Sequence, residues 1–181
     1  LIWRHRLILR RTSWNDIRGR YAGSVLGLVW MVLYPLLFLG IYAFIYAVVF
    51  EVKFKLGNTN EFIVFIFCGL IPFLGFSEAL SAGVSCVTGN ATLIKNTLFP
   101  IELIPVRSVL TSQCMQVVGT VMLLIAVGSV GHLTRWGLLL PVIWLLQILF
   151  SIGLIWIISS LNVYFRDLQY MVGIVILMLM M

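Results

Sequence analysis

Charge is scarce in this sequence. Of its 181 residues, 10% are Asp, Glu, Lys or Arg and 62% are hydrophobic, whereas a soluble domain carries roughly 25% charged and about 45–50% apolar residues. Together with a mean hydropathy of +1.12, this excludes an ordinary soluble protein. The composition predicts an all-α integral membrane protein, a polytopic helical bundle whose stability comes from helix-on-helix packing in lipid.

The sequence also lacks the residue sets of most enzymes and metal sites. It has no Ser/His/Asp set, no paired carboxylates and no Cys/His cluster. Its three cysteines, Cys68, Cys86 and Cys114, stand singly in apolar runs without CxxC spacing, which favours buried hydrophobic roles. The net charge of +6 comes without an aromatic and basic platform for nucleic acid. We therefore expect no catalysis, no metal and no nucleic-acid partner, and basic residues that neighbour anionic membrane lipid.

An ATP site is missing as well. The stretch "GNATLIKN" (89–96) superficially resembles a P-loop, which requires Gly before its Lys and Ser or Thr after it. Ile94 and Asn96 stand at those positions. We expect this chain to bind no cofactor, and any ATPase to be a separate subunit or a missing domain.

Long windows without charge predict the membrane spans. Charge is absent from 21–50, 108–134, 136–165 and 168–181, and Glu78 is the only charge within 62–94. About 20 apolar residues cross a bilayer, so we predict four full spans near 27–50, 62–88, 107–130 and 138–161, and a fifth that begins near 169. The chain has no initiator Met and stops inside this last apolar run, so we expect it to be a fragment.

The basic residues predict the orientation. If the N-terminus is cytoplasmic, nine Lys and Arg residues lie inside and three lie outside. Cytoplasmic segments carry the excess of Lys and Arg, so we predict a cytoplasmic N-terminus.

The first 22 residues predict an interfacial segment. Trp14, Ile17 and Tyr21 recur at helical intervals, and arginines fill the other face. "SWND" resembles a capping box, with Ser13 as N-cap and Asp16 three residues later. We predict two short amphipathic helices joined near Thr12–Ser13; the alternative is a floppy basic tail.

Two predicted inside loops are candidates for contact with a partner. The first, "NATLIKNTLFPIELIPVR" (90–107), is too apolar for an ordinary loop and predicts a short amphipathic helix that ends before Pro100. Its apolar side chains would need either a partner surface or the lipid surface. The second, "NVYFRDLQY" (162–170), holds Arg166 and Asp167, which either terminate the helices or contact a partner.

An aromatic stripe runs along the first predicted span. Its members recur every four residues: Trp30, Tyr34, Phe38, Tyr42 and Tyr46. The stripe is roughly 24 Å tall, and its central members lie too deep for an interfacial aromatic belt. It predicts either a pathway lining, suited to the apolar faces and hydroxyl edges of sugars, or packing against other helices. Glu78, in the second span, is a costly intramembrane carboxylate, unless Pro72 shortens that helix.

Three stretches together resemble one family, the permease subunits of polysaccharide-exporting, type-2 ABC transporters for O-antigen, capsule and teichoic acid. They are "NDIRGRYAGSVLGLVWMVLYPLL" (15–37), "FIFCGLIPF" with "NATLIKNTLFPIELIP" (65–73 and 90–105), and "NVYFRDLQY" (162–170). The resemblance implies six spans per subunit, a homodimeric permease in the bacterial inner membrane, and two separate ATPase subunits that bind ATP and Mg. A lipid-linked polysaccharide would pass between the permeases. Gly19 and Gly23 depart from the family, which often has bulkier or basic residues there.

The resemblance also implies residue roles within three regions: a gate helix region (1–23), a coupling segment (89–105) and a second cytoplasmic loop (162–168). The expected ATPase-coupling residues are Leu93, Ile94, Lys95, Asn96, Phe99, Pro100, Glu102, Arg166 and Asp167. The expected gate residues are Arg18, Arg20, Tyr21, Ser24, Leu26 and Gly27. The expected substrate-pathway residues are Trp30, Tyr34, Phe38, Tyr42 and Tyr46.

The glycines at 19, 23 and 27 have the four-residue spacing of a helix-packing face. Because Gly19 precedes the membrane, we instead predict that Ser24–Gly27 forms a joint between the interfacial segment and the first span. A type-2 exporter of drugs or lipids is the nearest alternative function, followed by an ion channel or secondary transporter and a structural scaffold.

Overall fold

Helices form every element of this computed structural model, within the residues that it describes: 6–21, 26–45, 48, 59–91, 94, 100–130, 137 and 139–180. The helices are α1 (Arg6–Tyr21), α2 (Trp30–Phe44), α3 (Thr59–Val84), α4 (Cys86–Gly89), α5 (Leu103–Val130), α6 (Leu140–Tyr164) and α7 (Leu168–Met180). A 3-10 turn at Gly27–Val29 leads into α2. The predicted all-α fold is confirmed.

Three of these helices are long and apolar enough to cross a bilayer. They are Val64–Val84 in α3, Leu103–Gly128 in α5 and Leu140–Tyr164, with 21, 26 and 25 residues. They correspond to the predicted second, third and fourth spans. The shorter apolar helices Val32–Phe44 and Leu168–Met180 correspond to the first and fifth, and positions 46, 47, 49 and 50 of the first lie outside the described residues.

Several helix boundaries differ from those expected, and α3 ends at Val84 rather than near 88. The third span begins at Leu103 rather than near 107, because Pro105 falls in the first turn, where its missing N–H costs no helical hydrogen bond. α6 continues to Tyr164. The ends of the predicted coupling segment and second loop are therefore helical.

The main hydrophobic core lies at one end of the bundle, where α1 packs against the first turns of α5. We call this the α1 end. α3, α4 and α6 contribute to the same core. Its buried members are Leu9, Ala79, Leu80, Cys86, Leu103, Ile104, Val106, Val109, Ile152 and Ile155. A smaller cluster of Leu39, Ile71 and Leu123 joins α2, α3 and α5 further along the bundle.

A polar layer separates these two apolar clusters. The Gln147 Nε2 atom on α6 donates to the Pro72 carbonyl of α3 at 2.8 Å and to the Gln116 Oε1 atom of α5 at 3.2 Å, and Gln116 Nε2 donates back to Gln147 Oε1 at 2.8 Å. Trp144 Nε1 donates to Gln113 Oε1 at 2.6 Å. Gln116 lies near the middle of α5, roughly 20 Å from its first residue at 1.5 Å per residue. These amides therefore join three helices in the middle of the bundle.

Small residues on α3 let its neighbours approach closely. Gly75, Ala79 and Gly83 recur every four residues and are buried. A Cβ atom at Gly75 would lie 2.1 Å from Gln116 Oε1, and one at Gly83 would lie 2.6 Å from Ile155 Cγ2. This is the close backbone approach that small-xxx-small spacing gives in membranes. A small-residue packing face thus lies on α3, whereas nothing lies within 4 Å of a Cβ atom at Gly19 or Gly27.

The predicted break in the N-terminal segment is wrong. α1 is one helix of 16 residues, and Ser13 lies inside it as a buried residue whose Oγ atom has no hydrogen-bond partner among the described residues. Leu9, Ser13 and Ile17 form the buried face, whereas Trp14 is 51% exposed. Packing against α5 keeps the helix continuous, and Asp16 pairs with α5 instead of closing a capping box.

Candidate functional site

The α1 end holds a charged contact between two helices that are far apart in sequence. Arg107, in the second turn of α5, donates from Nε to one carboxylate oxygen of Asp16 on α1 and from Nη2 to the other. The side chains are 16% and 32% exposed, respectively. A bidentate Arg–carboxylate pair fixes orientation as well as distance, so it sets how α1 sits on α5.

A cavity of about 350 Å³ lies beside this ion pair. It is enclosed by α1, α4, the end of α3 and the start of α5. Its polar lining comes from Asp16, Ser85, Asn90, Arg107, Ser108 and Thr111. The ion pair therefore faces a space that is lined mostly by polar groups and that also borders the core residues Cys86 and Ile104.

The two ends of the predicted coupling segment are tied to the same part of the bundle. At its start, Asn90 Nδ2 donates to the Cys86 carbonyl at 2.8 Å, and the Ile94 N–H donates to the Asn90 carbonyl at 3.0 Å. At its end, Trp156 Nε1 on α6 donates to the Glu102 carbonyl at 3.0 Å. Ile94 is partly buried against the main core, whereas the Glu102 side chain is exposed.

The remaining coupling candidates divide into those that the structure places and those that it does not. Pro100 is partly buried and accepts a hydrogen bond from the Leu103 N–H at 3.0 Å. Leu93, Lys95, Asn96 and Phe99 lie outside the described residues. The predicted helix that ends before Pro100 therefore stays a prediction.

The second predicted loop is a short turn between α6 and α7. Arg166 and Asp167 are both exposed there, and the Asp167 carbonyl accepts from the backbone N–H groups of Tyr170 and Met171 at 3.0 and 3.2 Å. The backbone of Asp167 thus helps to start α7, while both charged side chains remain open to solvent or a partner.

Asn162 connects this turn region to α4. It is 1% exposed, and its Nδ2 atom donates to Thr88 Oγ1 at 3.5 Å. Its Oδ1 atom has no partner among the described residues. The last turn of α6 and the start of the coupling segment are therefore neighbours.

The gate candidates that the structure describes lie on α1 and at the entry to α2. The Arg18 guanidinium lies 5.4 Å from the centre of the exposed Trp14 ring, a cation–π distance. Gly27 has a φ of +49°, and the Leu26 carbonyl accepts from the Val29 N–H at 3.0 Å. A left-handed residue followed by a 3-10 turn redirects the chain, as a joint requires.

For the other gate candidates the structure says less. Arg20 and Tyr21 belong to α1, but their side chains are not described, and Ser24 lies outside the described residues. The gating role itself stays a prediction for the whole set.

The aromatic stripe on α2 is continuous across three rings. The rings of Tyr34 and Phe38 are 6.3 Å apart between centroids, and those of Phe38 and Tyr42 are 4.9 Å apart. Tyr34 and Trp30 are exposed, and Phe38 and Tyr42 are partly so; Tyr46 lies outside the described residues. Among the described members, Trp30 and Tyr34 are thus open, whereas Phe38 and Tyr42 are partly covered.

A cleft of about 380 Å³ opens beside Tyr34, near the start of α2. Tyr34 and Pro35 line it from α2, and Glu78 and Gln116 line it from α3 and α5. Glu78 therefore lies in a helix and faces a cavity between helices, as an intramembrane carboxylate is expected to do. Pro72 does not end α3, which continues to Val84.

The thiol of Cys86 is shielded from water at the α1 end. It is 7% exposed, and burial raises the pKa of its thiol to about 11, although hydrogen bonding with Ser159 acts in the opposite direction. Within the described residues there is no group of three His, Cys, Asp or Glu side chains that could hold a metal.

Sequence analysis missed the Asp16–Arg107 pair and the glutamine layer. A signal existed for each. Arg107 stands alone at the border of a long uncharged run, and three glutamines (Gln113, Gln116 and Gln147) occur inside runs otherwise free of charge. Counting charges identifies spans but ignores neutral amides, and no local rule pairs residues 91 positions apart.

Comparison with known proteins agrees with this architecture. The ABC-2 type transporter family matches residues 9–181. The chain belongs to this family. The resemblance drawn from three short stretches is thereby confirmed at the level of the family.

Relatives extend the comparison. The O-antigen export system permease protein RfbA of Myxococcus xanthus is 30% identical over 95% of this chain and 65% of its own length. Two proteins of the same name from Klebsiella pneumoniae are 31% identical, each over 91% of this chain and 62% of their own length. The chain thus spans somewhat less than two thirds of these relatives.

Proposed function

We propose that this chain belongs to a permease subunit that exports a lipid-linked polysaccharide across the bacterial inner membrane. A second copy completes the permease, and a separate cytoplasmic ATPase subunit drives it. The relatives are named O-antigen export permeases, which supports a polysaccharide as the substrate. The observation that carries the proposal is the convergence of α1 and both candidate coupling regions at one end of the bundle.

This convergence is what a driven permease needs. The segment between Asn90 and Glu102 is fixed at both ends by hydrogen bonds to the bundle, and the exposed turn with Arg166 and Asp167 follows the same end of α6. In the proposed orientation this end is cytoplasmic, together with the N-terminus. An ATPase docked there would press on the starts of α5 and α7 and, through α5, on α1.

The exposed rings of the aromatic stripe favour a substrate built from polar rings, such as sugars. Tyr and Trp side chains offer apolar faces and polar edges, which match the C–H faces and hydroxyl groups of sugars. In a dimer, the exposed face of α2 would line a shared pathway. Glu78, Tyr34 and Gln116 would contribute polar groups beside it.

Reconstitution tests the proposal. The full-length subunit and its ATPase are placed in proteoliposomes, and ATP-dependent movement of a lipid-linked polysaccharide across the bilayer is measured. An ATPase variant that cannot hydrolyse ATP is the control. Transport of a small drug or a simple phospholipid instead of the glycan would favour the nearest alternative, and movement without the ATPase would favour a channel or secondary transporter.

Substitutions then separate pathway from packing. Tyr34→Ala and Tyr42→Ala should lower glycan export several-fold while leaving ATP hydrolysis and membrane levels near those of the wild type. Leu37→Ala, at a position off the stripe that is about as exposed as Tyr34, is the control. Equal export by all three variants would remove the stripe from the pathway.

Glu102→Ala tests the coupling segment. The Trp156 hydrogen bond uses the backbone carbonyl of Glu102, so the substitution removes an exposed side chain without removing that bond. We expect continued ATP hydrolysis with reduced export. Unchanged export would exclude the Glu102 side chain from coupling.

A further inference from the structure

Asp16 and Arg107 are the charged residues that join α1 to the helix that follows the coupling segment. The pair is bidentate and partly buried. Around it, Leu9 and Ile17 on α1 are buried. Removing one partner of such a pair leaves the other charge poorly solvated, so the contact resists separation more than an exposed surface pair would.

The position of Arg107 suits the transmission of movement from the coupling segment to α1. α5 begins at Leu103, directly after Glu102, so Arg107 is only one turn into the helix that the coupling segment enters. Asp16 lies five residues before the end of α1 at Tyr21, and α1 leads through Gly27 into α2. A displacement that enters at the start of α5 therefore acts close to α1, whereas the contacts of α5 with α2 lie further along α5, at Gln116 and Leu123.

The other described side chains of α1 fix its position less specifically. Trp14, Asn15, Arg18 and Gly19 are exposed, and the buried Ser13 contributes a hydroxyl oxygen without a partner among the described residues. Leu9 packs into the main core, but apolar packing is not directional. A two-bond charged contact resists sliding because both distance and direction matter to its hydrogen bonds.

We propose that the Asp16–Arg107 pair is the link that makes α1 move together with the start of α5. The two residues are positioning residues and touch neither substrate nor ATP. The proposal rests on the ATPase-driven export proposed above and adds the route by which movement leaves the coupling segment. The cavity beside the pair provides space into which both side chains can adjust as the helices move.

The first experiment compares export with ATP hydrolysis in the full-length subunit bound to its ATPase. Asp16→Asn and Arg107→Gln should each lower export several-fold at near-normal ATP hydrolysis. Asp16→Glu should keep most of the export, and the exchanged pair Asp16→Arg/Arg107→Asp should recover much of what the single variants lose. Asn15→Ala, an exposed neighbour on α1, is the matched control.

Two results of that experiment would overturn the proposal. One is export by Asp16→Asn and Arg107→Gln equal to that of Asn15→Ala. The other is an exchanged pair that assembles and hydrolyses ATP but exports no better than the single variants. A merely structural role predicts a parallel loss of assembly, export and hydrolysis, so that pattern would also count against the proposal.

A second experiment needs no variant at either position of the pair. Spin labels are placed at Asn15 on α1 and at Ile101 beside α5, and in a second sample at Asn15 and Val163 on α6; all three sites are exposed, and the native cysteines are replaced. Between the nucleotide-free and ATP-trapped complexes, we expect the Asn15–Ile101 distance to stay constant and the Asn15–Val163 distance to shift. A shift in the first distance, or no shift in either, would overturn the link.

The two proposals fail in different ways. A wild-type complex that moves no glycan with ATP contradicts the proposed function and, with it, the link. A wild-type complex that exports glycan while α1 moves independently of Ile101 contradicts the link alone.

Discussion

The α3–α5–α6 unit and α2 are both apolar, yet they are built differently. α3 presents Gly75, Ala79 and Gly83 to its neighbours, and the buried Gln116 of α5 is hydrogen-bonded to the partly buried Gln147 of α6. α2 instead buries Pro35 and Leu39 and leaves Trp30 and Tyr34 of its aromatic stripe exposed. The first unit is held by close backbone approach and amide hydrogen bonds, whereas α2 attaches along one narrow strip.

The contrast teaches that hydropathy alone does not distinguish a fixed helix from one available for other contacts. In lipid, apolar side chains gain little from leaving the solvent, so packing and polar contacts decide which helices adhere. The core unit has both kinds of contact. α2 enters through a glycine joint and exposes rings, which suits a helix that faces a pathway or a second copy.

The largest expected effect is steric and lies at Gly75. A Cβ atom there would approach the Gln116 side chain down to its Cβ atom, at 2.7 Å, so the glutamine as a whole must shift and its bonds to Gln147 must break. We expect Gly75→Ala to destabilise the full-length protein by about 1–3 kcal/mol, measured by unfolding in detergent.

Gly69→Ala, on the same helix with open space around it, is the control. We expect it to be neutral or slightly stabilising, because alanine favours helix by up to about 1 kcal/mol over glycine. Equal destabilisation by the two variants would contradict the close approach of α3 and α5.

The next effect concerns the glutamine layer. Gln147→Leu leaves the Pro72 carbonyl without this donor and strands the buried Gln116 amide, and should cost about 1–2 kcal/mol in unfolding free energy. The double variant Gln116→Leu/Gln147→Leu should cost less than the sum of the two single variants, because both polar partners are then absent. Strictly additive costs would show that the two amides do not interact.

An effect on stability of similar size is expected at Gly27. Its φ of +49° disfavours branched side chains, by roughly 1–2 kcal/mol for an L-residue in this region. Gly27→Val should therefore lower export more than membrane assembly, whereas Gly27→Asn should be tolerated better, since asparagine adopts left-handed conformations more readily. No void or clash complicates the comparison, because nothing lies within 4 Å of a Cβ atom at this position. Similar export by the two variants would argue against a conformational joint.

The smallest effect is chemical and leaves stability unchanged. With a pKa raised by burial to about 11, the Cys86 thiol stays protonated at pH 8, and thiolate forms only as the pH approaches 11. Labelling of the folded protein by a small maleimide should thus be slow at Cys86, and fast after unfolding. Cys86 alone is retained for this test, with Cys68 and Cys114 replaced. Rapid labelling at pH 8 would show that the α1 end is more open than its packing indicates.

Much of the fold could be predicted from the sequence. Three predicted spans match long helices, and the four-residue spacing of the α2 aromatics correctly predicted a stripe, since adjacent rings lie 4.9–6.3 Å apart. Local rules led to the wrong prediction of a break at Thr12–Ser13. A capping box and a buried helix interior use the same residues, and contact with α5 decided between them.

The candidate site was harder to predict from the sequence than the fold. Tyr34, Glu102 and Arg166 could be selected by residue type and position, but their roles remain predictions. The glutamine layer and the Asp16–Arg107 pair were not anticipated, because neither lies within one stretch of chain. The packing face at 75, 79 and 83 was not anticipated for a related reason: one of its three small residues is an alanine, so it does not stand out as a glycine motif.

The sequence by itself determined that this protein lives in a membrane, where its long helices run and which of them carries the aromatic stripe. These properties follow from transfer free energies that add along the chain and from a fixed helical period. Only the tertiary structure decided that α3 packs through small residues, that Gln116 meets Gln147, and that Asp16 reaches Arg107. Such pairings depend on the rotation and depth of one helix relative to another, and no sum over neighbouring residues contains that information.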